Sequence, residues 1–537
     1  MCLRNIETGV IAAEHVNADR ARDVGLGILQ DMSSKLVTEY SFKRKRQVVP
    51  LHSKKASKED TEVPCIQIDP QLMFQRLVIA GDGHFTDNSE LFKFELSSLP
   101  SSMFDNNGYP REASKSLLAD AIWDDQCLAD CQLEQDAQYV LDGGSLLQRI
   151  PWEMGTTFSK LCSTYIEHVK RTYQESIVVF DGYPDRPTLK DTTHLRRSKG
   201  YKTTDVVFTE TTPCKMKKEL FLANDRNKQK FISLLASKMQ SEGIKVLQAD
   251  DDADFLIAKT ALTCAESRTT VVIGEDTDIL VLLCHHFCKD HVKDIIFRSA
   301  KQTSGKACRI WSINRTANML GQTTCKHLPF VHAISGCDTT SRLYGIGKGM
   351  VLKKCISSGY FREQAEVFFD SSSDRDAVIK AGEEAISNLY GGIPCEGLQI
   401  LRWRKFTSKA VQNRCTPVMV QTLPPTPDAA SHHSLRSYLQ CQIWQGDQTV
   451  RDATEWGWKI EKNVLVPIKM TLQPAPDNIL NIIKCNCKAN CDSKRCTCRK
   501  SGLECSMACG ECRGMCSNGI SQIEEEDEVE NDSANLD

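Results

Sequence analysis

Hydrophobic residues follow two patterns along this chain. Between about residue 135 and 395, short runs of β-branched and aliphatic residues alternate with helical stretches, and the runs end in aspartate. Tyr139-Val140-Leu141 leads into Asp142-Gly143-Gly144, and Ile177-Val178-Val179-Phe180 into Asp181-Gly182. Thr269-Thr270-Val271-Val272-Ile273 leads into Gly274-Glu275-Asp276-Thr277-Asp278, with Ile279-Leu280-Val281-Leu282-Leu283 directly after it. Short apolar runs bounded by Gly and Asp predict buried strands, and their alternation with helices predicts an α/β domain with a parallel sheet covered on both faces. The second pattern is helical. Apolar positions from Ile66 to Asp130 recur at helical spacing, as in Pro70-Gln71-Leu72-Met73-Phe74-Gln75-Arg76-Leu77-Val78-Ile79, and predict a mainly helical region before the sheet. Helices are also predicted at Asn224 to Gln240 and at Ala429 to Trp444.

The position of the aspartates matters more than their number. Ligands of parallel sheets bind beyond the carboxyl ends of the strands, so acids recurring there converge on one edge, where their repulsion calls for cations. Two further acidic elements join them. Gln248-Ala249-Asp250-Asp251-Asp252-Ala253-Asp254 precedes the helical run Phe255-Leu256-Ile257-Ala258-Lys259. Asp250 and Asp251 are expected to be N-terminal caps of that helix. Ser335-Gly336-Cys337-Asp338 is followed by Tyr344-Gly345-Ile346-Gly347-Lys348-Gly349, a turn whose backbone N–H groups can hold a phosphate.

In this order, over roughly residues 135 to 390, the elements resemble the flap endonuclease / XPG family, whose nuclease core is related to PIN domains. Leu141-Asp142-Gly143 and Val179-Phe180-Asp181-Gly182 look like the family's first two strand ends. Asp252-Ala253-Asp254 looks like its acid-x-acid pair, with the register open between 250/252 and 252/254, and Glu275-Asp276-Thr277-Asp278 like its Asp-x-Asp pair. Gly336-Cys337-Asp338 and Gly345-Ile346-Gly347 are similar to the last catalytic aspartate and the helix-turn-helix that grips duplex DNA. The resemblance implies a catalytic set that is also the metal set. Asp142, Asp181, Asp252 and Asp254 would surround one Mg2+ or Mn2+ ion, and Asp276, Asp278 and Asp338 a second, roughly 4 Å away, to clamp the attacking water and the leaving oxygen of a phosphodiester.

The segment between Asp181 and Asp252 corresponds to that family's arch. Up to Lys238 it carries thirteen basic against six acidic side chains, a charge that suits a backbone-tracking strand. Lys190, Arg196 and Arg197 are the phosphate contacts expected there, with Gly345, Gly347 and Lys348 at the turn.

Composition adds the second half of the picture. The 537 residues hold 67 basic and 70 acidic side chains, so affinity for nucleic acid, DNA or RNA, has to come from local patches. No apolar run approaches the roughly 18 residues of a bilayer span and the first residues lack a signal peptide's apolar core, so no membrane role is expected. Of 25 cysteines, nine fall at Cys485, Cys487, Cys491, Cys496, Cys498, Cys505, Cys509, Cys512 and Cys516. A reducing compartment and this density predict metal rather than disulfides. Two tetrahedral sites would leave one thiolate over, whereas about three zinc ions are satisfied if three cysteines bridge.

The run Cys485-Asn486-Cys487-Lys488 to Arg499-Lys500-Ser501-Gly502-Leu503-Glu504-Cys505 resembles the tesmin-type CXC domain, a DNA-binding zinc module. That resemblance implies nucleic-acid contacts at Arg495, Arg499 and Lys500. A metallothionein-like buffer is the competing reading. Cys284-His285-His286-Phe287-Cys288 follows an apolar run and is expected to be buried rather than ligating.

The expected organisation is a mainly helical region over 1–130 with the basic run Lys43-Arg44-Lys45-Arg46, a nuclease-like domain over 131–395, and a connecting region over 396–483. A zinc module over 484–518 and an acidic tail over 519–537 complete it. Lys43–Arg46 with Lys54-Lys55 resembles a nuclear import signal. The expected function is a nuclear, metal-dependent, structure-specific DNA nuclease with a zinc-bound docking module. Its alternative is a catalytically inactive nuclear or mobile-element-derived binding protein that keeps the nuclease fold as a DNA or RNA clamp.

Overall fold

The computed structural model describes residues 4–5, 9–12, 16–33, 48, 69–123, 136–197, 204–287, 293–299, 309–412, 416–447, 451–487, 490–500, 503–505, 509–513 and 515–519. The basic run at Lys43–Arg46, Lys54-Lys55, the acidic stretch after Gln522 and Cys288 lie outside the described residues. The chain forms two compact units, each gathered from separate stretches of sequence. Unit 1 comprises Met1–Glu62, Tyr109–Gly391 and Ser431–Ile468, and unit 2 comprises Val63–Gly108, Gly392–Ala430 and Lys469–Asp537.

Unit 1 is an α/β fold around a six-stranded sheet of order β3-β2-β1-β4-β5-β6. The strands are β1 (Gln138–Asp142), β2 (Ser176–Phe180), β3 (Lys245–Gln248), β4 (Thr270–Ile273), β5 (Ile295–Arg298) and β6 (Ile310–Ser312). All pairings are parallel except β5 with β6. Every residue of β2 and β4 is buried, so both faces of the sheet are covered, as their unbroken apolar runs predicted. The sequence reading predicted β1, β2 and β4 and missed β3, β5 and β6, which have only three or four residues each. Helices Phe158–Thr172 and Asp225–Ser241 pack Phe158, Leu161, Tyr165, Phe231 and Leu235 into one apolar cluster with Val178 and Phe180 of β2. Helix Asp254–Ala265 contacts β1 and β4, and helix Thr277–His286 packs between it and helix Gln322–Ile334.

The chain winds outward from β1 to β3 and returns to β4 on the other side of β1. Side-by-side strands leading away in opposite directions open a crevice at their carboxyl ends, and here those ends carry Asp142 and Glu275-Asp276.

A stretch that precedes the sheet in sequence also belongs to unit 1. Leu118 and Ile122 are fully buried, and the indole N–H groups of Trp311 and Trp123 donate to the Ala119 and Ile310 carbonyls, each at 3.3 Å. The region from Ile66 to Asp130 is less helical than its spacing predicts. Its described part holds helices Pro70–Gly81 and Ser116–Ala121 and a 3-10 helix at Asn88–Lys93. Gly83 at φ +75°, Gly108 at φ +79° and the prolines at 100 and 110 interrupt the rest.

Unit 2 is built on aromatic packing. Phe92 lies 5.2 Å from Trp403 and 5.0 Å from Phe406 between ring centroids, and Phe74 packs edge-on to Phe406. The fully buried Arg402 of helix Leu398–Gln412 donates to the Pro424 and Glu95 carbonyls, with the Glu95 carboxylate 3.8 Å away. Six of the nine clustered cysteines share this core with Phe74, Leu77 and Ile479. Among the described residues no helix is long and apolar enough to cross a membrane.

Candidate functional site

Seven aspartates reach the carboxyl edge of the unit 1 sheet by local devices that can be followed one by one. Asp142 ends β1 and caps helix Gly143–Arg149, its Oδ1 accepting from the Ser145 N–H. Asp181 follows β2, and its Oδ1 accepts from the Ala253 N–H at 3.0 Å, while the Gly182 N–H donates to the Asp251 carbonyl at 2.7 Å. A Cβ at Gly182 would lie 2.3 Å from the Asp250 carbonyl oxygen, so the close approach of residues 249–253 requires glycine there. This staple carries Asp252 and Asp254 to the edge. Asp276 caps helix Thr277–His286 through the Asp278 N–H at 3.0 Å, and Asp278 Oδ1 accepts from His332 Nε2 at 2.7 Å. Asp338 follows helix Gln322–Ile334, its carbonyl held by the Thr193 hydroxyl at 2.8 Å.

Oxygens of Asp254, Asp276 and Asp278 lie within 4.8 Å of one another. A cavity of about 250 Å³ is lined by Asp142, Asp181, Asp252, Asp254, Asp276 and Asp338 together with Lys190 and Lys228. A second cavity, of about 950 Å³, shares Asp142, Asp276 and Asp338 and is bordered by Lys115, Arg149 and Arg196. Two of the neighbouring ammonium groups, those of Lys190 and Lys115, pair directly with the acids. Lys190 Nζ is 2.7 Å from Asp252 and 4.0 Å from Asp254. Lys115 Nζ lies 3.1 Å from Asp276, 2.9 Å from Asp278 and 3.0 Å from Asp338. Asp254 Oδ2 is buried without a hydrogen-bond partner among the described residues.

So many carboxylates disturb one another's protonation. Burial, then the charge of Asp252, pushes the Asp254 carboxyl well above the usual range. Burial and Asp278 push Asp276 up, and burial with Asp181 pushes Asp142 up to about 7. Burial opposes the charge on Lys115 and Lys190, but the surrounding aspartates outweigh it and hold both ammonium groups charged well above the ordinary lysine range. The centre is short of positive charge.

Several sequence expectations meet particular placements. Asp250 and Asp251 do not cap the helix: it begins at Asp254 with Ala253 as N-cap and no side-chain cap bond, because the chain before it is tied to β2. Asp250 is exposed, while Asp251, Asp252 and Asp254 line the smaller cavity. Arg196 is paired with Glu112 and donates to the Pro110 carbonyl. Arg197 ends the helix Asp191–Arg197, and its side chain lies outside the described residues. Gly345 is exposed at φ +77°, and Gly347 is the N-cap of helix Lys348–Ser357.

Lys348, expected on a phosphate, is turned inward. Only 2% exposed, it donates to His332 Nδ1 at 2.9 Å, to the His332 and Gly336 carbonyls, and to Ser335 Oγ. Since Nδ1 accepts from Lys348, the His332 proton sits on Nε2 and is given to Asp278. His285 and His286 bond to the Lys326 and Trp444 carbonyls. Lys115 and His332 were not singled out in the sequence. A lysine in an apparently helical stretch and a histidine on an apolar helix carry no local signal; only the tertiary fold sets them against Asp276 and Asp278.

In unit 2 the cysteine sulfurs converge. Cys485 Sγ lies 3.7 Å from Cys491, 3.8 Å from Cys505 and 3.7 Å from Cys512, and Cys496 lies 3.6 Å from Cys505. A tetrahedral zinc with bonds of about 2.3 Å has sulfur–sulfur edges of about 3.75 Å, so these spacings fit zinc. Three overlapping groups of four have sulfurs within 4.8 Å: Cys485, Cys491, Cys496 and Cys505; Cys485, Cys505, Cys509 and Cys512; Cys491, Cys505, Cys512 and Cys516. Cys498 lies 3.5 Å from Cys509, and Cys487 is partly buried against the same core. Arg495 and Lys500 are exposed and Arg499 half-buried, its N–H directed at Cys496 Sγ.

A family model described as a domain of unknown function (DUF8702) matches residues 1–95. No curated protein matches the sequence. Among solved structures, the D15 protein of bacteriophage T5 co-crystallised with metal ions is 13% identical, with TM-score 0.28 over 58% of this chain and 97% of its own. The catalytic core of Rad2 in complex with DNA substrate is 13% identical, with TM-score 0.28 over 57% and 91%. Flap endonuclease-1 from Methanococcus jannaschii is 13% identical, with TM-score 0.27 over 57% and 93%.

Proposed function

We propose that unit 1 is a divalent-cation-dependent nuclease that hydrolyses phosphodiester bonds in DNA and selects its substrate by strand structure. The observation that carries this reading is the convergence of seven aspartates from separate stretches of chain on one sheet edge, where Asp254 groups with Asp276 and Asp278 and its buried Oδ2 has no hydrogen-bond partner among the described residues, Lys190 Nζ standing 4.0 Å away. Hard divalent cations take oxygen ligands, and a buried carboxylate oxygen without a hydrogen bond is costly unless a cation binds it closely. The residues present fit Mg2+ or Mn2+: Asp142, Asp181, Asp252 and Asp254 would hold one ion, and Asp276, Asp278 and Asp338 the other. When bound, such ions polarise the phosphodiester and lower the pKa of water.

The chain's own residues supply the rest. Asp181 and Gly182 hold the 249–254 segment in place, and His332 orients Asp278. Arg149 and Arg196 border the larger cavity, where their charge would draw a phosphodiester backbone toward the acids. The cysteine-rich part of unit 2 would bind about three zinc ions and dock on DNA through Arg495, Arg499 and Lys500, and the protein would act in the nucleus.

The test is incubation of the purified chain with 5′-flap, hairpin and bubble DNA and Mg2+ or Mn2+. Cleavage lost in Asp276→Ala with Asp278→Ala supports the reading; no cleavage, or cleavage that survives both substitutions, rejects it. One observation favours the second reading, a DNA or RNA clamp without chemistry: a lysine already sits among Asp276, Asp278 and Asp338. A clamp would bind nucleic acid indifferently to Mg2+.

A further inference from the structure

Resting on the metal reading of the same centre, we infer that Lys115 is the resident cation of the Asp276, Asp278 and Asp338 half. It competes with a divalent ion for those carboxylates, so that the affinity for metal is set by displacement of a lysine that the chain itself supplies. Its Nζ meets three separate carboxylates at 2.9 to 3.1 Å, and both oxygens of Asp276 are within reach. A single ammonium surrounded in this way occupies a cation position rather than forming an ordinary pair.

The lysine is placed there by the fold. It is the N-cap residue of helix Ser116–Ala121, whose Leu118 is fully buried. The preceding residues are tied down as well, by the Arg342 N–H on the Arg111 carbonyl at 2.8 Å and Arg196 on the Pro110 carbonyl at 2.9 Å. Lys190 differs: it has one close carboxylate, Asp252, and leaves Asp254 Oδ2 without a hydrogen bond.

Occupancy by Lys115 and by metal is mutually exclusive. The same Asp276 and Asp278 that complete the group with Asp254 are already engaged by Lys115, and His332 holds the other Asp278 oxygen. A divalent ion binds carboxylate oxygen at about 2.0–2.6 Å, closer than an ammonium, and carries twice its charge, so it can win these ligands but only by expelling the lysine. The 950 Å³ cavity that Lys115 borders gives the expelled side chain space beside Arg149 and Ser116.

The experiment uses the full chain and Mn2+ alone as probe. Mn2+ binding is measured by titration calorimetry for wild type, Lys115→Met, and Asp276→Asn with Asp278→Asn in both backgrounds. In parallel, Lys115 acylation by an amine-reactive ester is followed by mass spectrometry with and without Mn2+. The expected result is Mn2+ affinity about tenfold or more higher in Lys115→Met, because a like charge within van der Waals reach has been removed, together with wild-type Lys115 protected without Mn2+ and labelled with it. Equal affinity in wild type and Lys115→Met, with binding weakened by the Asp276 and Asp278 substitutions, overturns the competition and leaves the metal reading standing. Binding untouched by those substitutions in both backgrounds overturns the metal reading of the Asp276, Asp278 and Asp338 half and the competition together. Should Lys115→Met not fold, the labelling of wild type decides: labelling unchanged by Mn2+ overturns the inference.

Discussion

Replacing Lys348 by Met tests whether the lysine after the Gly345-Ile346-Gly347 turn is a support of the acidic centre or a DNA contact. Its ammonium is buried and meets four acceptors, of which Ser335 Oγ also bonds to the Val331 carbonyl and the His332 carbonyl also accepts from Ser335. Two acceptors, His332 Nδ1 and the Gly336 carbonyl, have Lys348 as their described donor. A buried polar group left without its partner costs about 1–3 kcal/mol, so Lys348→Met should cost about 2–6 kcal/mol near pH 10.5, where no charge is buried with the lysine.

The same lysine has a pH signature. Burial lowers its value from 10.5 to about 8, against weaker opposite pulls from neighbours such as Cys337 and Asp278. The unfolded chain therefore binds the proton that the folded one releases between pH 8 and 10.5, and stability rises with pH across that window. The rise is worth about 3 kcal/mol at 1.36 kcal/mol per pKa unit.

Urea unfolding followed by tryptophan fluorescence suits the measurement, because Trp444 packs on His332 with ring centroids 5.6 Å apart. The expected outcome is a wild-type advantage over Lys348→Met that widens from pH 8 and gives the variant a clearly lower midpoint by pH 10.5. An unchanged midpoint, with DNA affinity reduced and its salt dependence shallower, would refute the reasoning and return Lys348 to a phosphate.

Three other outcomes are expected. Gly182→Ala forces a methyl against the Asp250 and Ala249 carbonyls, 2.3 and 2.4 Å from the Cβ position, and should cost about 1–3 kcal/mol while weakening Mn2+ binding measured by calorimetry. Asp142, held protonated by burial and Asp181 up to about 7 from 3.8, contributes stability to the metal-free protein that is present below pH 4 and lost as the pH rises to 7. That loss is about 4 kcal/mol, and Asp142→Asn should abolish this part of the thermal-unfolding pH profile. Elemental analysis should find about three zinc ions per chain, and chelation should both free the thiols and lower the melting temperature of unit 2, because Cys485, Cys491 and Cys505 share its core with Phe74 and Leu77.

The centre of the parallel sheet, β1, β2 and β4, was readable because these strands are continuous apolar runs that can only be buried on both faces, and each leads into an acidic turn, whereas β5 at Ile295–Arg298, which runs into Ser299, was not read. The edge strands at Lys245–Gln248 and Ile310–Ser312 were not, since three or four residues with partial exposure carry no period. The sulfur cluster was readable for a different reason: cysteines at this density with few large apolar neighbours call for cross-links, and their sulfurs do converge. Its packing against Phe74, more than 400 residues earlier, was not. The caps expected of Asp250 and Asp251 failed because propensity at a helix start lost to the Gly182 staple.

What the sequence determined by itself was therefore the chemical inventory and its order: acids at strand ends, a basic segment between them, and thiolates near the C-terminus. These follow from local rules, the burial of apolar runs and the demand of clustered charge for counter-charge. Only the tertiary structure decided which groups meet. It set Lys115 among three aspartates up to 223 residues away, turned Lys348 from solvent to His332, and left Asp254 Oδ2 without a hydrogen bond among the described residues. Such contacts depend on where whole helices pack, a balance of many buried side chains, and no window of neighbouring residues contains it.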